Sequence, residues 1–234
     1  MKNTLYQVST MDSLMQGWFS GVKTLGAIRE NGDTGIGTFE GADGELIAVD
    51  GKFYKAMSDG RVALASDDEK LPFACVAEFD TEWITDISLT TTLGSLEKAL
   101  SGVLDNFNHF YMARLDGFFQ SVTVRVLVGC VPPYPTLREA SKRQRVFTGT
   151  NLRGSVVSLY TPSFAKGCNL PGWHTHFVSA DRKIGGHVVD LSLASGKAAF
   201  TRLCSLNMEL PKDIDFGKLD LTKDMSADTH AVEK

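Results

Sequence analysis

The chain of 234 residues and 25.5 kDa is long enough to bury a sizeable core, as one large domain or as two small lobes. Its composition, 43% hydrophobic and 22% charged, excludes the disordered, collagen-like and disulfide-rich classes of protein. The formal net charge of -4 gives no electrostatic reason to expect nucleic acid or an anionic membrane as a partner.

The first predicted elements are helices. Apolar residues recur at three- and four-residue spacing at Met11, Leu14, Met15, Trp18 and Phe19. Thr10 precedes this stripe as a suitable cap, so we expect the helix to begin there and to face the core. A shorter helix is predicted from Val22 to Arg29, and Asn31-Gly32 ends it.

Short strands follow, separated by turn signals. The three turns are Ala42-Asp43-Gly44, Val49-Asp50-Gly51 and Ser58-Asp59-Gly60. Asp-Gly is a strong hairpin signal, because glycine adopts a left-handed backbone easily and aspartate tolerates it. Residues 35 to 66 are therefore predicted to form an antiparallel meander. Two more strands are expected near residues 73 to 79 and 83 to 89, before Thr92 caps another helix.

The second half of the chain is predicted to be mostly strands. Val122 to Val126 alternates in the manner of a strand, and prolines at 132, 133 and 135 stop it. Thr136 and Glu139 make a capping box for a short helix. That helix and its surroundings carry four basic residues, which form either a solvated face or the rim of an anionic-ligand site: Arg138, Lys142, Arg143 and Arg145.

These elements predict an α+β fold. A mixed β-sheet lobe with helices is expected over residues 1–116, and a second β-rich lobe over residues 117–234. No low-complexity linker separates the two, so we expect them to pack tightly as one folding unit.

Neither a membrane segment nor a disulfide is predicted. No apolar run reaches the roughly 18 residues that a spanning helix needs, and the first residues do not form an export signal, so we expect a cytoplasmic protein. Cys75, Cys130, Cys168 and Cys204 are widely spread without a C-x-x-C pair. We expect four reduced, mostly buried thiols rather than a thiolate metal site.

The segment from Pro171 to His187 carries the strongest chemical signal. His174 and His176 stand two residues apart, so on a strand both imidazoles point to the same face. The turn-rich stretch from Asp181 to Gly186 can return the chain and place His187 opposite the pair. Three neutral imidazoles with no thiolate nearby are typical of a catalytic zinc site with an open coordination position. A hairpin of hydrogen-bonded histidines is the alternative.

Other ionisable residues on strands are candidates for moving protons or holding substrate charge. Glu45 follows the Asp43-Gly44 turn, and Arg125 lies in a strand whose valines occupy the opposite face. Either could instead be an ordinary surface charge. His109 stands alone in an aromatic strand and is expected to be structural. The glycines at 32, 35 and 37 lack the spacing of a dinucleotide-binding loop, so no nucleotide cofactor is indicated.

Taken together, these segments resemble the bacterial alpha-acetolactate decarboxylase family along nearly the full chain. The matching stretches are Leu5-Tyr-Gln-Val-Ser-Thr10, Gly32-Asp-Thr-Gly-Ile-Gly-Thr-Phe39, Asp43-Gly-Glu-Leu-Ile47, Val49-Asp-Gly-Lys-Phe-Tyr54, Leu71-Pro-Phe-Ala74, Pro133-Tyr134 and Pro171 through Asp190. Their order and spacing carry the resemblance, and the histidine segment is the most specific of them.

The resemblance implies a zinc enzyme that converts 2-acetolactate to acetoin and carbon dioxide through a metal-stabilised enediolate. It implies a barrel-like second lobe that carries the metal site, a homodimer, and Zn2+ held by His174, His176 and His187. Carried over residue by residue, it makes Glu45, Arg125 and Glu233 catalytic, and it places Arg125 and Thr38 at the substrate. Four points stay open. They are the strand count of the second lobe, the native metal, the substrate range and the choice between Glu45 and Glu233 as proton donor.

Two other functions are compatible with the histidine spacing. A cupin-like metal-dependent oxygenase or isomerase also uses His-x-His followed by a later histidine on strands. It needs a carboxylate ligand shortly after the pair, for which this sequence offers Asp181 and no glutamate. A non-enzymatic metal-binding or sugar-sensing β-protein is the third alternative.

Overall fold

Three β-sheets make up most of the described structure, a computed structural model that covers residues 2–233 apart from the side chains of His230 and Glu233. The strands are β1 (Thr4–Val8), β2 (Lys23–Thr24), β3 (Thr34–Thr38), β4 (Glu45–Val49), β5 (Lys52–Ala56), β6 (Val62–Leu64), β7 (Lys70–Leu71), β8 (Phe73–Ala77), β9 (Trp83–Thr90), β10 (Phe110–Val126), β11 (Arg145–Thr161), β12 (Gly172–Ser179), β13 (Gly185–Leu203) and β14 (Ser205–Glu209). The α-helices are α1 (Met11–Met15), α2 (Leu25–Arg29), α3 (Leu93–Ser101), α4 (Leu137–Ser141) and α5 (Ser226–Glu233). Short 3-10 turns lie at Glu40–Ala42, Ser163–Ala165 and Ile214–Lys218.

The first large sheet is mixed and has seven strands in the order β14-β1-β8-β3-β4-β5-β6. Its β3 to β6 half is the predicted antiparallel meander, with turns at the Asp-Gly signals. The parallel pair is β1 with β14, so a strand near the C-terminus returns to the edge of the N-terminal sheet.

The second large sheet is antiparallel and curls into a ring. Strand β10 pairs with β11 on one side and with β13 on the other, while β12 joins β11 to β13. Strand β9 extends the sheet beside β13. The ring-like second sheet together with the mixed first sheet confirms the predicted α+β class and the barrel-like second part. The third sheet is the small β2–β7 pair.

The helix boundaries follow their capping residues. As expected, Thr10 caps α1 by accepting a hydrogen bond from the backbone N–H of Ser13. The helix is shorter than its apolar stripe because Gly17 has φ +90, and a Cβ there would lie 2.4 Å from the carbonyl oxygen of Pro135. The capping box of Thr136 and Glu139 is present in α4, as predicted.

The helix expected from Val22 to Arg29 is also shorter than predicted. Lys23–Thr24 is extended and pairs with β7, so α2 begins only at Leu25. The prediction was wrong for these first residues because pairing with a distant strand overrides local helical spacing.

The core has three layers. Alternating residues of β10 and β12, among them Val122, Val124 and Phe177, point into the ring. The opposite faces of the same strands pack with Ile36 and Ile47 of the seven-stranded sheet. The far side of that sheet is covered by α2. The space between the two large sheets is therefore a buried interface, lined by the outer face of the ring.

Strand β10 runs without a break through residues 116 and 117, where the two expected lobes meet. The division into lobes at this point stays a prediction. In the part of the chain that the structure describes, no helix has the length and apolar character needed to cross a membrane.

The expectation that the cysteine thiols are mostly buried was partly wrong. Cys75 is buried, but Cys130 and Cys168 are half-buried and Cys204 is exposed. All four are free thiols, which agrees with the absence of disulfides in the expectation.

Candidate active site

The β12–β13 hairpin brings the three histidines of the central segment together. His174 and His176 share one face of β12, and His187 on β13 lies directly opposite His176 in the pairing register. The turn between the strands is the one expected from the sequence. Phe177 and Val188 point into the ring, so the imidazoles lie on its outer face, toward the seven-stranded sheet.

The three imidazoles converge on one point. One ring nitrogen from each residue lies within 4.8 Å of the others, and all three side chains are buried. Nε2 of His174 lies 3.1 Å from Nδ1 of His187. Tetrahedral zinc with Zn–N bonds of about 2.0–2.1 Å separates its nitrogen ligands by about 3.3 Å. The distance of 3.1 Å is close to that separation and is also a hydrogen-bond distance, so it is compatible both with a shared ion and with the alternative of hydrogen-bonded histidines.

A backbone carbonyl sets the tautomer of His176. Its Nδ1 lies 2.8 Å from the carbonyl oxygen of Leu46, which can only accept, so Nδ1 carries the proton. The other nitrogen, Nε2, is then the one with a lone pair for a metal. A hydrogen bond of this kind on the far nitrogen is the usual way in which a metal-binding histidine is oriented.

Glu45 faces the histidines from the seven-stranded sheet. It begins β4 and shares a face with Ile47 and Val49, whose side chains belong to the core between the sheets. Its side chain is 6% exposed, and Oε2 lies 3.8 Å from Nε2 of His176. The alternative of an ordinary surface charge does not apply to this residue.

Thr38 lies directly opposite Glu45 on the neighbouring strand β3. Its hydroxyl donates a hydrogen bond of 2.7 Å to the carbonyl oxygen of Gly44, which has φ +94. The turn that introduces Glu45 is thus tied to the residue across the sheet. The hydroxyl oxygen keeps its lone pairs for a further hydrogen bond in the cavity.

Arg125 reaches the same space from the ring. It lies opposite His187 in the register of β10 and β13 and is only 4% exposed. As the alternation predicted, Val122 and Val124 occupy the opposite face of β10 and fill the ring. Arg125 thus lines the same cavity as the histidines.

One cavity is lined by all six predicted residues whose side chains the structure describes. They are Thr38, Glu45, Arg125, His174, His176 and His187. The remaining lining residues are mostly apolar, namely Leu14, Gly37, Phe73, Leu127 and Leu137. Leu14 was expected only as a core residue of α1, and no local signal distinguishes a leucine that lines a site from one that fills a core.

The donor set fits a divalent metal such as zinc. Three neutral imidazoles converge beside one carboxylate, and no cysteine lines the cavity, which is the composition of a catalytic rather than a structural zinc centre.

Two further residues lie outside this group. The side chain of Glu233 is outside the described residues, although the backbone at this position ends α5. His109 is not a cavity-lining residue; its Nδ1 donates to Oδ1 of Asn106 at 3.0 Å.

Comparison with known proteins gives a consistent assignment. A family profile described as alpha-acetolactate decarboxylase matches residues 5–223. An alpha-acetolactate decarboxylase of Methanosarcina mazei is 38% identical over 99% of this chain and 81% of its own length. The corresponding protein of Bacillus subtilis is 36% identical over 98% of this chain and 90% of its own length.

Solved structures agree with the sequence comparisons. The crystal structure of alpha-acetolactate decarboxylase from Bacillus subtilis strain 168 superposes with a TM-score of 0.95 at 35% identity, covering 98% of this chain and 99% of that one. A Staphylococcus aureus protein of unknown function, described as similar to that enzyme, superposes with a TM-score of 0.93 at 27% identity, over 98% of this chain and all of the other. The profile match and the near full-length identity above 30% show that this chain belongs to the alpha-acetolactate decarboxylase family of enzymes.

Proposed function

We propose that the protein catalyses the zinc-dependent decarboxylation of 2-acetolactate (2-hydroxy-2-methyl-3-oxobutanoate) to acetoin and carbon dioxide. The observation that carries the proposal is the meeting of three buried imidazoles, a buried carboxylate and a buried guanidinium around one cavity, in a member of this family.

The substrate supplies its own electron sink. Its carboxylate is attached to a carbon that also bears a hydroxyl and that is next to a ketone. When the bond to the carboxylate breaks, carbon dioxide leaves and the electron pair moves toward the ketone oxygen, which gives an enediolate. One proton delivered to the former carboxylate-bearing carbon then yields acetoin. The reaction therefore needs stabilisation of an oxyanion and one directed proton, but no organic cofactor.

His174, His176 and His187 are the residues proposed to hold the ion. An ion held by these three neutral ligands would be a Lewis acid, which would polarise the ketone and stabilise the developing negative charge. Because the histidines stand on two paired strands and Leu46 fixes the ring of His176, they hold this charge in place without rearrangement during the reaction.

Arg125 is proposed to bind and orient the substrate carboxylate. The guanidinium offers a planar fork that matches a carboxylate, and its burial strengthens the pairing. The carboxylate charge moves away during the reaction, so an ion pair to it favours the bound substrate over the transition state. The contribution of Arg125 is therefore to hold the substrate in the orientation from which carbon dioxide can leave.

Glu45 and Glu233 are proposed to handle the proton. Glu45 lies 3.8 Å from the nitrogen of His176 that faces the cavity, so its carboxyl group lies beside the reacting atoms of a substrate held there. Glu233 is assigned by resemblance alone. Thr38 is proposed to contact the substrate through its hydroxyl oxygen while it holds the Gly44 turn.

The cupin-like oxygenase or isomerase is the weaker candidate. Its fourth ligand would have to be Asp181, yet this residue is exposed in the β12–β13 turn and accepts a hydrogen bond of 2.7 Å from Ser179. It does not line the histidine cavity. A cytoplasmic location and a homodimer stay predictions from sequence and resemblance.

One assay tests the proposed function. Purified protein is incubated with racemic 2-acetolactate, and acetoin and carbon dioxide are measured before chelation, after chelation and after zinc is restored. We expect equimolar products, loss of activity with the metal, and recovery with zinc. Oxygen consumption, or full activity in metal-free protein, would contradict the proposal.

A further inference from the structure

The histidine cavity has a polar side and an apolar side. The proposed reaction uses the polar groups for the oxygens of the small-molecule substrate, the ion for the ketone and Arg125 for the carboxylate. The alkyl groups of the substrate, a methyl on the carbinol carbon and a methyl on the ketone, are then left to the apolar lining residues. These residues are Leu14, Phe73, Leu127 and Leu137, together with the backbone of Gly37.

The cavity has little free space. Its volume is about 20 Å³, whereas a single water molecule needs about 10–15 Å³. Because 2-acetolactate is several times larger than a water molecule, it can enter only if lining side chains move aside. An additional methylene group on either alkyl group would require still more displacement, and close-packed interiors resist it. The size of the alkyl groups is therefore limited by how far the apolar side can yield.

Two of the apolar residues reach the cavity from outside both large sheets. Phe73 lies on β8 of the seven-stranded sheet, and Leu127 follows the end of β10 in the ring. Leu14, in contrast, lies in α1, and Leu137 is the first residue of α4. Both leucines are buried in the core cluster between the sheets. These two residues, the helical wall of the cavity, can be altered without changing either sheet.

The backbone that carries the helical wall is closely packed. Gly17, three residues after Leu14, has φ +90, and a Cβ there would lie 2.4 Å from the carbonyl oxygen of Pro135, two residues before Leu137. The two backbone segments are thus in direct contact. The start of α4 is further fixed by its capping box. We therefore expect the helical wall to yield through side-chain rotation rather than through movement of the helices.

We propose that Leu14 and Leu137 are specificity-determining residues, which limit the alkyl groups of the 2-hydroxy-3-keto acid substrate to methyl. The inference rests on the proposed function and adds to it the size of substrate that the site accepts. A longer alkyl group must displace a leucine side chain, whereas a leucine shortened to alanine leaves space for the added methylene. The helical wall thus selects by size, while the charged groups of the cavity select the acid.

Competition between substrates tests the helical wall. Wild type, Leu14→Ala and Leu137→Ala each receive 2-acetolactate mixed with a homologue that carries an ethyl group in place of one methyl. Ethyl on the carbinol carbon yields 3-hydroxypentan-2-one, and ethyl on the ketone yields 2-hydroxypentan-3-one, so chromatography separates both products from acetoin. The initial product ratio gives the ratio of the two kcat/KM values. Because both substrates meet the same enzyme molecules, partial unfolding of a variant does not alter this ratio.

The wild type should prefer 2-acetolactate over each homologue by about tenfold or more, the usual effect of one methylene group in an apolar pocket. Leu14→Ala and Leu137→Ala should each raise the relative kcat/KM of at least one homologue by about tenfold, and Leu137→Val should raise it less. Leu96→Ala is the matched control, because Leu96 is a fully buried leucine of α3 that packs inside the ring and does not line the cavity. It should leave the ratio within about twofold of the wild type.

The outcomes separate this inference from the functional proposal. Absence of acetoin from 2-acetolactate in the wild type would overturn the proposed function. Acetoin formation with a product ratio that is unchanged in both alanine variants would overturn the role of the helical wall alone. An equal rise in Leu96→Ala would also overturn that role, because the leucines would then act through a general loosening of the fold.

Discussion

Arg125 lies directly opposite His187 on the adjacent antiparallel strand, so the guanidinium and the imidazole leave the sheet on the same face. His176 flanks His187 on the other side in the same register. The groups proposed to hold the carboxylate and the metal thus stand on three neighbouring strands of one closed ring. A site built on paired strands is held more rigidly than one built on loops.

This arrangement makes the role of Arg125 separable from that of the metal ligands. Arg125→Ala should lower kcat/KM by about 10²-fold or more, since a buried charged hydrogen-bonding partner is lost, while zinc content stays unchanged. Arg125→Lys keeps the charge but not the planar fork and should recover only part of the activity. Steady-state kinetics and metal analysis of the same preparations check this. An Arg125→Ala protein that lacks zinc would contradict the assignment.

Removal of a histidine should remove the ion. His176→Ala is expected to bind zinc at least about 10²-fold more weakly and to lose most of the activity, because two imidazoles hold the ion less firmly than three. His109→Ala provides the control, since His109 bonds Asn106 outside the cavity. Competition with a chromogenic chelator measures the affinity of both variants. Equal affinities would rule out the proposed ligand set.

Glu45 should matter for turnover rather than for folding. Glu45→Gln keeps the shape of the side chain but cannot exchange a proton at neutral pH, so kcat should fall by about 10²–10⁴-fold. Glu40→Gln is the matched control, because Glu40 is exposed and binds the backbone N–H of Gly21. Acetoin formation and thermal unfolding are measured for both. Normal turnover in Glu45→Gln would exclude this residue from the proton step.

The dependence of the protein's stability on pH should show a contribution from the buried carboxyl group of Asp12. Burial raises the pKa of this carboxyl above its ordinary value, the charge of Asp224 raises it further, and Lys166 offsets part of the effect. Folding therefore favours protonated Asp12, so its contribution to stability is present below the unfolded pKa and is lost as the pH rises through the folded pKa. Asp12→Asn should raise Tm by about 1–3 °C at pH 7, with a smaller gain near pH 4.

The contribution of Asp59 to stability should change with pH in the opposite direction, so this residue serves as the comparison. Hydrogen bonds from Arg61 hold the pKa of Asp59 below its ordinary value. Its contribution is present above the unfolded pKa and is lost as the pH falls through the folded pKa. Asp59→Asn should therefore not raise Tm at pH 7. A gain from Asp59→Asn equal to that from Asp12→Asn would show that the burial of Asp12 is not the cause.

Thiol reactivity should follow burial. Complete burial raises the pKa of the Cys75 thiol to about 12, so almost no thiolate is present at neutral pH. Cys204 is exposed and should react rapidly with a colorimetric disulfide reagent in the native protein. Cys204→Ser should remove the fast phase, and Cys75 should react only after unfolding. Fast modification of Cys75 in the native state would contradict the buried position.

Much of the local structure could be predicted from residue patterns. Asp-Gly turns marked the β3 to β6 meander, and the spacing of His174, His176 and His187 placed all three on one face of a hairpin. Because valines alternate with Arg125 along its strand, the sequence also predicted that Arg125 and the valines lie on opposite faces. These features depend on neighbours within a few residues, and strand periodicity alone determines on which face a side chain lies.

Other features needed the folded chain. Apolar spacing extended the first helix to Phe19, but the left-handed backbone of Gly17 beside Pro135 ends α1 early. Lys23–Thr24 is drawn from a helix into a strand by Lys70–Leu71, which lies far along the chain. Burial of the cysteines was overestimated because exposure depends on what packs over a residue.

The sequence by itself singled out the six polar residues that line the cavity, whereas their meeting in one closed space with an apolar wall was decided by tertiary structure. Nothing near His176 in the chain indicates that Leu46 would orient its ring, or that Glu45 would face it from another sheet. That contact exists because burial of the apolar faces of two sheets brings their polar residues together. Hydrophobic burial is non-directional, and only the complete packing of both sheets determines which faces meet.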